Sequence, residues 1–255
     1  MKHCDKLIIA SIFALSATHA SASMIVFDDQ TDSNYQLSTT GTFGNPDALG
    51  SVLTYTGFTV SGGFATSNVL TGSGFNKSDI TASVVDQDAS PSHGGLGVCS
   101  ESSTCAGSSD SLSSNTNAGG DPGGDEILFF DFFSATFLET VYFNGDHAQS
   151  VNGDLDDDYT ETSDALYNVF FSADGGNTYK SIFEDAGQQQ PTNLEYFNVS
   201  TANSYGHWAV AASGWGDHSG YVEAIKYASV PEPGTLALFG LGLAGLGLSR
   251  RRKQV

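Results

Sequence analysis

Hydrophobic residues recur at every second position of this chain, in short runs that are separated by turn-forming residues. In segment 136–143, Phe137, Val141 and Phe143 lie on one side of the alternation, which is typical of a half-buried β-strand. Ten segments have this character: 24–28, 51–60, 80–86, 126–133, 136–143, 166–173, 178–184, 194–199, 206–212 and 221–228. No window between the chain ends shows an amphipathic helical stripe. The pattern predicts an all-β fold, a jelly-roll-like antiparallel β-sandwich.

Two stretches between these segments have a different composition. Asp174-Gly175-Gly176-Asn177 separates segments 168–173 and 178–183, and this order predicts a β-hairpin turn. Residues 90–124 consist mainly of Ser, Gly, Asn and Thr. We expect them to form a long Ser/Gly-rich surface loop, with a functional loop as the alternative.

The charge of the central region, Ser23 to Ser229, is strongly one-sided. It contains 27 acidic residues, three lysines and no arginine, a formal charge of −24. Such an anion repels phosphate backbones and anionic lipid, which excludes nucleic acid as a partner. The apolar fraction of 39% and the aromatic fraction of 11% are nevertheless sufficient for a core. We expect a single folded domain over residues 23–229.

The first 22 residues have the three zones of a secretory signal peptide. Lys2 and Lys6 precede a short apolar run, 7–15, and Ala20-Ser21-Ala22 supplies the small residues of a cleavage site. The apolar run is too short to span a bilayer comfortably. The expected mature chain begins at Ser23, with cleavage after Ala20 as the alternative.

The last residues, 230–255, have a second tripartite pattern. Pro231, Glu232 and Pro233 precede an apolar, glycine-rich run, and a basic cluster, 250–253, follows it. Proline ends a strand, the apolar run favours lipid, and the basic cluster favours the cytoplasmic side of a membrane. The sequence therefore predicts a short transmembrane helix over 235–249 that holds the chain transiently in the inner membrane. As a helix, this run is shorter than the hydrocarbon core of about 30 Å, which suits a temporary hold.

This order of elements resembles the PEP-CTERM sorting signal of Gram-negative bacteria that produce exopolysaccharide. The resemblance covers residues 230–255, and the sorting-motif positions that match are Pro231, Glu232 and Pro233. It implies processing by an exosortase, a membrane enzyme that recognises the Pro-Glu-Pro segment. It also implies release of the mature domain to the cell surface or the extracellular matrix. It carries no catalytic role onto the rest of the chain.

Two cysteines remain after removal of the signal peptide. Cys99 and Cys105 lie in the predicted loop, and exported chains are usually oxidised, so we expect a structural disulfide between them. Closure of such a short loop contributes roughly 2 kcal/mol. A metal or redox pair is the alternative, but five residues separate the two cysteines instead of two.

The densest acidic run contains three alternating carboxylates, Asp154, Asp156 and Asp158. Calcium takes six to eight oxygen ligands, so alternating carboxylates in a looped backbone predict a calcium site. The run lacks the glycine and the final glutamate of an EF-hand loop. A solvated acidic loop that binds nothing specifically is the alternative. No other cofactor is predicted.

Catalytic motifs are absent from the sequence. It contains no Gly-x-Ser-x-Gly, no His-Glu-x-x-His and no phosphate-binding loop. His207 and His218 flank Trp208 and Trp215, which suggests either a metal or sugar site or, as the favoured alternative, a core tryptophan and a hairpin cap. We predict a non-catalytic surface or matrix protein that binds calcium or extracellular polysaccharide. The alternative hypothesis is a secreted polysaccharide-active enzyme on a jelly-roll scaffold.

Overall fold

Backbone pairing between strands organises the chain in this computed structural model. The structure describes residues 22–27, 48–65, 74–88, 95–99, 112–114, 125–144, 166–182, 196–199, 203–213 and 218–230. The strands are β1 (Ala22–Val26), β2 (Ala48–Gly50), β3 (Val52–Tyr55), β4 (Phe58–Ala65), β5 (Gly74–Asn76), β6 (Thr81–Asp88), β7 (Gly95–Cys99), β8 (Leu112–Ser114), β9 (Asp125–Asn144), β10 (Leu166–Ser172), β11 (Thr178–Ser181), β12 (Tyr196–Asn198), β13 (Tyr205–Ser213) and β14 (His218–Ser229). The helical content of the described residues is one 3-10 turn, Lys77–Asp79.

The strands follow one hydrogen-bonded path, β1-β14-β7-β6-β4-β9-β13-β10-β11-β5. Strands β12, β2, β3 and β8 pair with β9, β6, β4 and β14 respectively. An additional pairing between β14 and β9 closes part of this path into a barrel-like sheet. The predicted all-β class is confirmed. The finer prediction of a jelly-roll sandwich is not confirmed and stays a prediction.

Strand β9 is the longest strand of the described chain, and it separates two hydrophobic cores. It pairs with β4 from Phe58↔Phe132 to Ala65↔Asp125, and with β13 from Tyr205↔Thr136 to Ala211↔Ile127. Its residues Leu128, Phe130 and Phe132 belong to the larger core, whereas Ile127 and Phe129 belong to the smaller one. Because successive side chains of a strand point to opposite faces, one strand supplies both cores.

The larger core is dominated by aromatic contacts around Phe58. Its ring lies 5.0 Å from Phe132, 5.7 Å from Tyr227 and 5.1 Å from Tyr55 between centroids. Trp208 is fully buried in the same core, and its Nε1 donates to the carbonyl oxygens of Tyr205 at 3.0 Å and Thr136 at 3.3 Å. The interpretation of Trp208 as a core residue is confirmed.

Three predicted boundaries are wrong. The predicted segments 126–133 and 136–143 are one strand, β9, because Ser134 and Ala135 between them also have strand conformation. Segment 51–60 is not one strand, because Thr56 and Gly57 form a turn between β3 and β4, and Gly57 has a φ of +93° that suits glycine. The predicted loop 90–124 contains β7 and β8. Strand β7 is buried along its whole length even though two of its residues are glycines. Leu96 and Val98 alternate with the two glycines, and so short an alternation does not stand out within a run of Ser, Gly, Asn and Thr.

A glycine in β7 permits a close approach between neighbouring strands. Gly95 has a φ of +103°, and a Cβ placed on it would lie 2.6 Å from the carbonyl oxygen of Val222 on β14. At this position an alanine would strain the backbone and collide with β14. The glycine is therefore required where β7 joins the sheet.

The compact unit that contains these strands is Ala22–Ala228. Met1–Ser21 and Ser229–Val255 form the other unit, of which only Ser229 and Val230 are described. Strand β1 begins at Ala22, inside the predicted signal peptide 1–22, so cleavage after Ala20 would leave it whole. The predicted helix 235–249 lies outside the described residues, and among those that are described no helix is long and apolar enough to cross a membrane.

Gly95→Ala and Gly57→Ala form a matched pair that tests the close approach. Both glycines have positive φ values, but a Cβ on Gly57 would meet nothing within 4 Å. We expect Gly57→Ala to lower the free energy of unfolding by about 1–2 kcal/mol through backbone strain. Gly95→Ala adds a steric collision, and we expect a loss of more than about 3 kcal/mol. Urea denaturation measures both values, and equal losses would contradict the proposed role of Gly95.

Candidate functional site

A group of polar side chains lies beside the smaller core on the face formed by β9 and β13. Asp131 and His207 are cross-strand partners, and His207 Nδ1 lies 2.6 Å from Asp131 Oδ1. Lys77 Nζ lies 3.7 Å from Asp131 Oδ2 and 4.4 Å from the centroid of the Phe129 ring. Asp131 therefore has a basic group near each of its oxygens, and Lys77 adds a cation–π contact.

Strand β5 and the 3-10 turn bring Lys77 to this position. Phe75 in β5 stacks on Tyr179 in β11, with ring centroids 5.1 Å apart and an interplanar angle of 3°. The amide of Lys77 then donates to the carbonyl oxygen of Asn177 at 2.8 Å. These contacts fix the start of the turn, so the side chain of Lys77 extends over Phe129 toward Asp131.

The hairpin between β10 and β11 is organised by the carboxylate of Asp174, which confirms the predicted turn. Asp174 accepts hydrogen bonds from the amide of Thr178 at 2.9 Å and from its hydroxyl at 2.7 Å. The hydroxyl of Ser172 donates at 2.7 Å and the amide of Asn177 at 3.2 Å. The backbone bond from Thr178, followed by the hydroxyl donors, holds the pKa of Asp174 well below its ordinary value.

Tyr179 places a buried hydroxyl at the edge of the polar group. Its side chain is 1% exposed, and its Oη has no hydrogen-bond partner among the described residues. Burial raises the pKa of Tyr179, and the charges of Asp131 and Asp174 add to that rise. A Cβ on Gly176 would lie 3.2 Å from His207 Nδ1 and 3.5 Å from Tyr179 Oη. Because Gly176 has no side chain, His207 and Tyr179 can lie close to the backbone of the turn.

The chemistry available to this group is limited. Asp131 and His207 are each about 30% exposed, so solvent can reach a proton that they share. The group holds one imidazole and one carboxylate in direct contact, and in the described ranges no set of three His, Cys, Asp or Glu side chains could hold a metal ion. The Lys77–Asp131 ion pair and the His207–Asp131 hydrogen bond favour a structural connection between the β5 segment and the sheet.

Most of the predicted site residues lie outside the described part of the chain. These are the calcium candidates Asp154, Asp156 and Asp158, the sorting-motif residues Pro231, Glu232 and Pro233, and Cys105. Cys99 is buried at the end of β7 and is disulfide-bonded. Its pairing with Cys105 and the calcium site stay predictions.

The sequence reasoning missed the connection between Asp131 and His207. The two residues are 76 positions apart, and neither lies in a recognisable motif. A signal was nevertheless present, because Asp131 interrupts the apolar run 127–133, where a charge requires a partner or an exposed position. His207 and Trp208 are neighbours in β13, so their side chains point to opposite faces, and only Trp208 enters the larger core. The second tryptophan of that hypothesis, Trp215, lies outside the described residues.

Comparison with known proteins identifies the C-terminal segment. Residues 229–253 match the family model of the PEP-CTERM protein-sorting motif. No curated protein sequence matches the chain. One similar solved structure is CpGH89CBM32-4, produced by Clostridium perfringens, with 12% sequence identity over 42% of this chain and 71% of that one. Its TM-score is 0.26, and a likeness at that level carries no argument about fold or function.

Tyr179→Phe and Tyr55→Phe test whether the buried hydroxyl of Tyr179 contributes to stability. Tyr55 Oη donates to Gln87 Oε1 at 2.6 Å, whereas Tyr179 Oη has no described partner. We expect Tyr55→Phe to cost about 1–3 kcal/mol because it leaves a buried acceptor unpaired. Tyr179→Phe should be neutral or stabilising. Thermal and urea unfolding measure both, and a large loss in Tyr179→Phe would show that its hydroxyl has a partner.

Asp174→Asn tests the turn through the pH dependence of stability. The pKa of Asp174 is depressed in the folded state, so its contribution is complete above its ordinary pKa of 3.8 and is lost as the pH falls toward the folded value. We expect the wild type to be more stable than Asp174→Asn at neutral pH and the difference to shrink in acid. Asp79→Asn, at another exposed turn, is the charge-matched control. A difference that stays constant down to pH 2 would contradict this account of the turn.

Proposed function

We propose that this chain, which its PEP-CTERM motif marks for export and for processing by an exosortase, is a non-catalytic β domain of the cell surface or extracellular matrix. The observation that carries the proposal is the motif at residues 229–253. The charge of the central region agrees with it, because a domain with a formal charge of −24 stays soluble and does not adhere to anionic lipid.

The proposed route has three steps. A signal peptide, 1–22, directs the chain across the inner membrane, and the helix 235–249 holds the precursor there. The exosortase then acts on the segment around Pro231, Glu232 and Pro233 and releases the domain. A disulfide between Cys99 and Cys105 forms after export, where the surroundings are oxidising.

The polar group on β9 and β13 supports a non-catalytic role. Asp131 is bonded to both Lys77 and His207, and the side chain of Tyr179 is 1% exposed. A catalytic acid or base needs a partner in the substrate within hydrogen-bond reach. Lys77 is held by Asp131 and by the Phe129 ring, so it is already engaged within the protein.

The ligands that we propose are calcium and extracellular polysaccharide. The acidity of the domain attracts cations, and Asp154, Asp156 and Asp158 supply the hard oxygen ligands that calcium prefers. Bound calcium would also offset part of the negative charge of the domain, which would oppose contact with a polysaccharide that is itself anionic. Glycan retention that requires calcium is therefore the expected mode of binding.

One observation favours the alternative function of a polysaccharide-active enzyme. Asp131 and His207 form a hydrogen-bonded acid–base pair that solvent reaches. Such a pair could transfer a proton to or from a sugar substrate, with Lys77 beside it as a cation. An assay that incubates the purified mature domain with polysaccharide from the producing cells distinguishes the two functions, because only an enzyme would change the polysaccharide.

We expect the purified domain to leave the chain length of that polysaccharide unchanged. Asp131→Asn and His207→Gln should behave like the wild type in the same assay, since the proposed role of the pair is structural. Size-exclusion chromatography of the polysaccharide is the measurement. Shortened chains in the wild type, restored to full length by either substitution, would establish the enzyme and overturn the non-catalytic proposal.

We expect calcium to raise the melting temperature of the domain and its retention on polysaccharide. The triple variant Asp154→Asn, Asp156→Asn and Asp158→Asn should lose both effects, and a chelator should reproduce that loss in the wild type. Asp79→Asn, which lies outside the run and removes one charge, is the control for each of the three Asp→Asn substitutions made singly. If neither quantity responds to a chelator, calcium has no role in this domain.

A further inference from the structure

Two tyrosines lie side by side on the outer face of the β9–β12 pair. Tyr142 and Tyr196 are direct cross-strand partners, and their ring centroids are 5.8 Å apart with an interplanar angle of 47°. Val141 and Phe143 belong to the larger core, so Tyr142 between them points away from that core. Tyr196 is 45% exposed, and Tyr142 is half-buried. The two rings therefore present aromatic surface to solvent.

The next cross-strand pair on the same face supplies an oriented amide. Thr140 and Asn198 lie two positions from the tyrosines on their strands and are partners of each other. The hydroxyl of Thr140 donates to Asn198 Oδ1 at 3.2 Å, and Asn198 is exposed. Because its amide oxygen is engaged, the amide nitrogen of Asn198 has two N–H donors to offer a ligand. We call Tyr142, Tyr196 and Asn198 the tyrosine platform.

The chemistry of the tyrosine platform favours an uncharged ligand. The two cross-strand pairs contain no charged side chain, and the carboxylate of the adjoining Glu139 is engaged by Lys226 Nζ at 3.3 Å. An anionic ligand would find no cation in these pairs, and the formal charge of −24 on the central region would repel it. Tyrosine combines a large apolar ring with a polar hydroxyl, so it contacts ligands that are themselves partly apolar and partly polar.

A neutral glycan has this combination of surfaces. The C–H groups of a sugar ring form an apolar face that packs against an aromatic ring, and its hydroxyl groups accept hydrogen bonds from an amide. Because the two tyrosine rings are tilted by 47°, they cannot both lie flat against one sugar. Each ring is therefore placed to contact one of two neighbouring sugars.

We propose that the tyrosine platform binds a neutral stretch of extracellular polysaccharide, with one sugar against each ring and Asn198 donating to a sugar hydroxyl. The proposal rests on the proposed function, because it takes polysaccharide as the ligand, and it adds the place and the charge class of the contact. Calcium and the platform have separate roles. Calcium lowers the negative charge of the domain, whereas the two rings contact uncharged sugars.

Titration calorimetry of the protein purified from the producing cells, with calcium present throughout, tests the proposal. The probes are laminarihexaose and cellohexaose, because both are uncharged and their glucose rings have apolar faces. We expect the wild type to bind at least one of them. Tyr196→Ala should weaken that binding about tenfold through loss of the ring contact, whereas Tyr196→Phe, which keeps the ring, should change it by less than about twofold.

Two further variants separate the contacts of the tyrosine platform from a general effect on the domain. Asn198→Asp keeps an acceptor for Thr140 but removes the N–H donors, so we expect weaker binding. Phe133→Ala is the matched control, because Phe133 is an aromatic residue of β9 that is 68% exposed and lies outside the platform. It should bind like the wild type. The melting temperature of each variant shows whether its fold is kept.

Three results overturn the proposal: failure of the wild type to bind either hexasaccharide, equal binding by the wild type and Tyr196→Ala, or an equal loss in Phe133→Ala. Sedimentation of the wild type tests a different occupant. A concentration-dependent dimer that Tyr196→Ala abolishes would show that a second copy of the chain covers the rings, and it would also overturn the proposal.

Retention on polysaccharide from the producing cells separates this proposal from the function on which it rests. If the wild type is retained and Tyr196→Ala is retained equally, only the tyrosine platform fails. If the wild type is not retained and binds neither hexasaccharide, the glycan-binding function fails with it. Weaker retention of Tyr196→Ala, together with weaker hexasaccharide binding, supports both.

Discussion

The rest of the structure depends on strand β9, which is paired on both edges and contributes side chains to the cores on both faces. Its backbone is bonded to β4 on one side and to β13 on the other, and its side chains fill the cores on both faces. A strand that is buried on two faces tolerates polar residues only where partners are supplied. Asp131 meets this condition through His207 and Lys77. The polar group is thus a consequence of placing a carboxylate in the central strand.

Two of the three lysines in the central region form ion pairs with carboxylates of β9. Lys77 pairs with Asp131, and Lys226 pairs with Glu139. The two paired carboxylates are about one-third exposed, whereas Asp86, Glu126 and Glu223 are buried. The excess of acid agrees with the exported role, because it maintains a negative field that attracts counter-ions.

The sequence predicted the class of fold because alternation is a local property. The β10–β11 hairpin was also predictable, since Asp174, the two glycines and Asn177 have their turn preferences within four residues. Strand β7 was not, because its two glycines carry no hydrophobic signal and its burial is imposed by β6 and β14. The pairing of Asp131 with His207 depends on the register between β9 and β13, which no local pattern encodes. The closure of the sheet is likewise a long-range property.

The smaller core can open while the larger core stays folded, so the domain has two parts of different expected stability. It is covered by β11 and β5, which contribute Tyr179 and Phe75, and these short strands join the sheet through β10. Loss of this cover would leave the larger core, with Trp208 and Phe58, still closed by other strands. Amide protons of β5 and β11 should consequently exchange with solvent by a subglobal opening, while those at the centre of β9 exchange only when the whole domain unfolds.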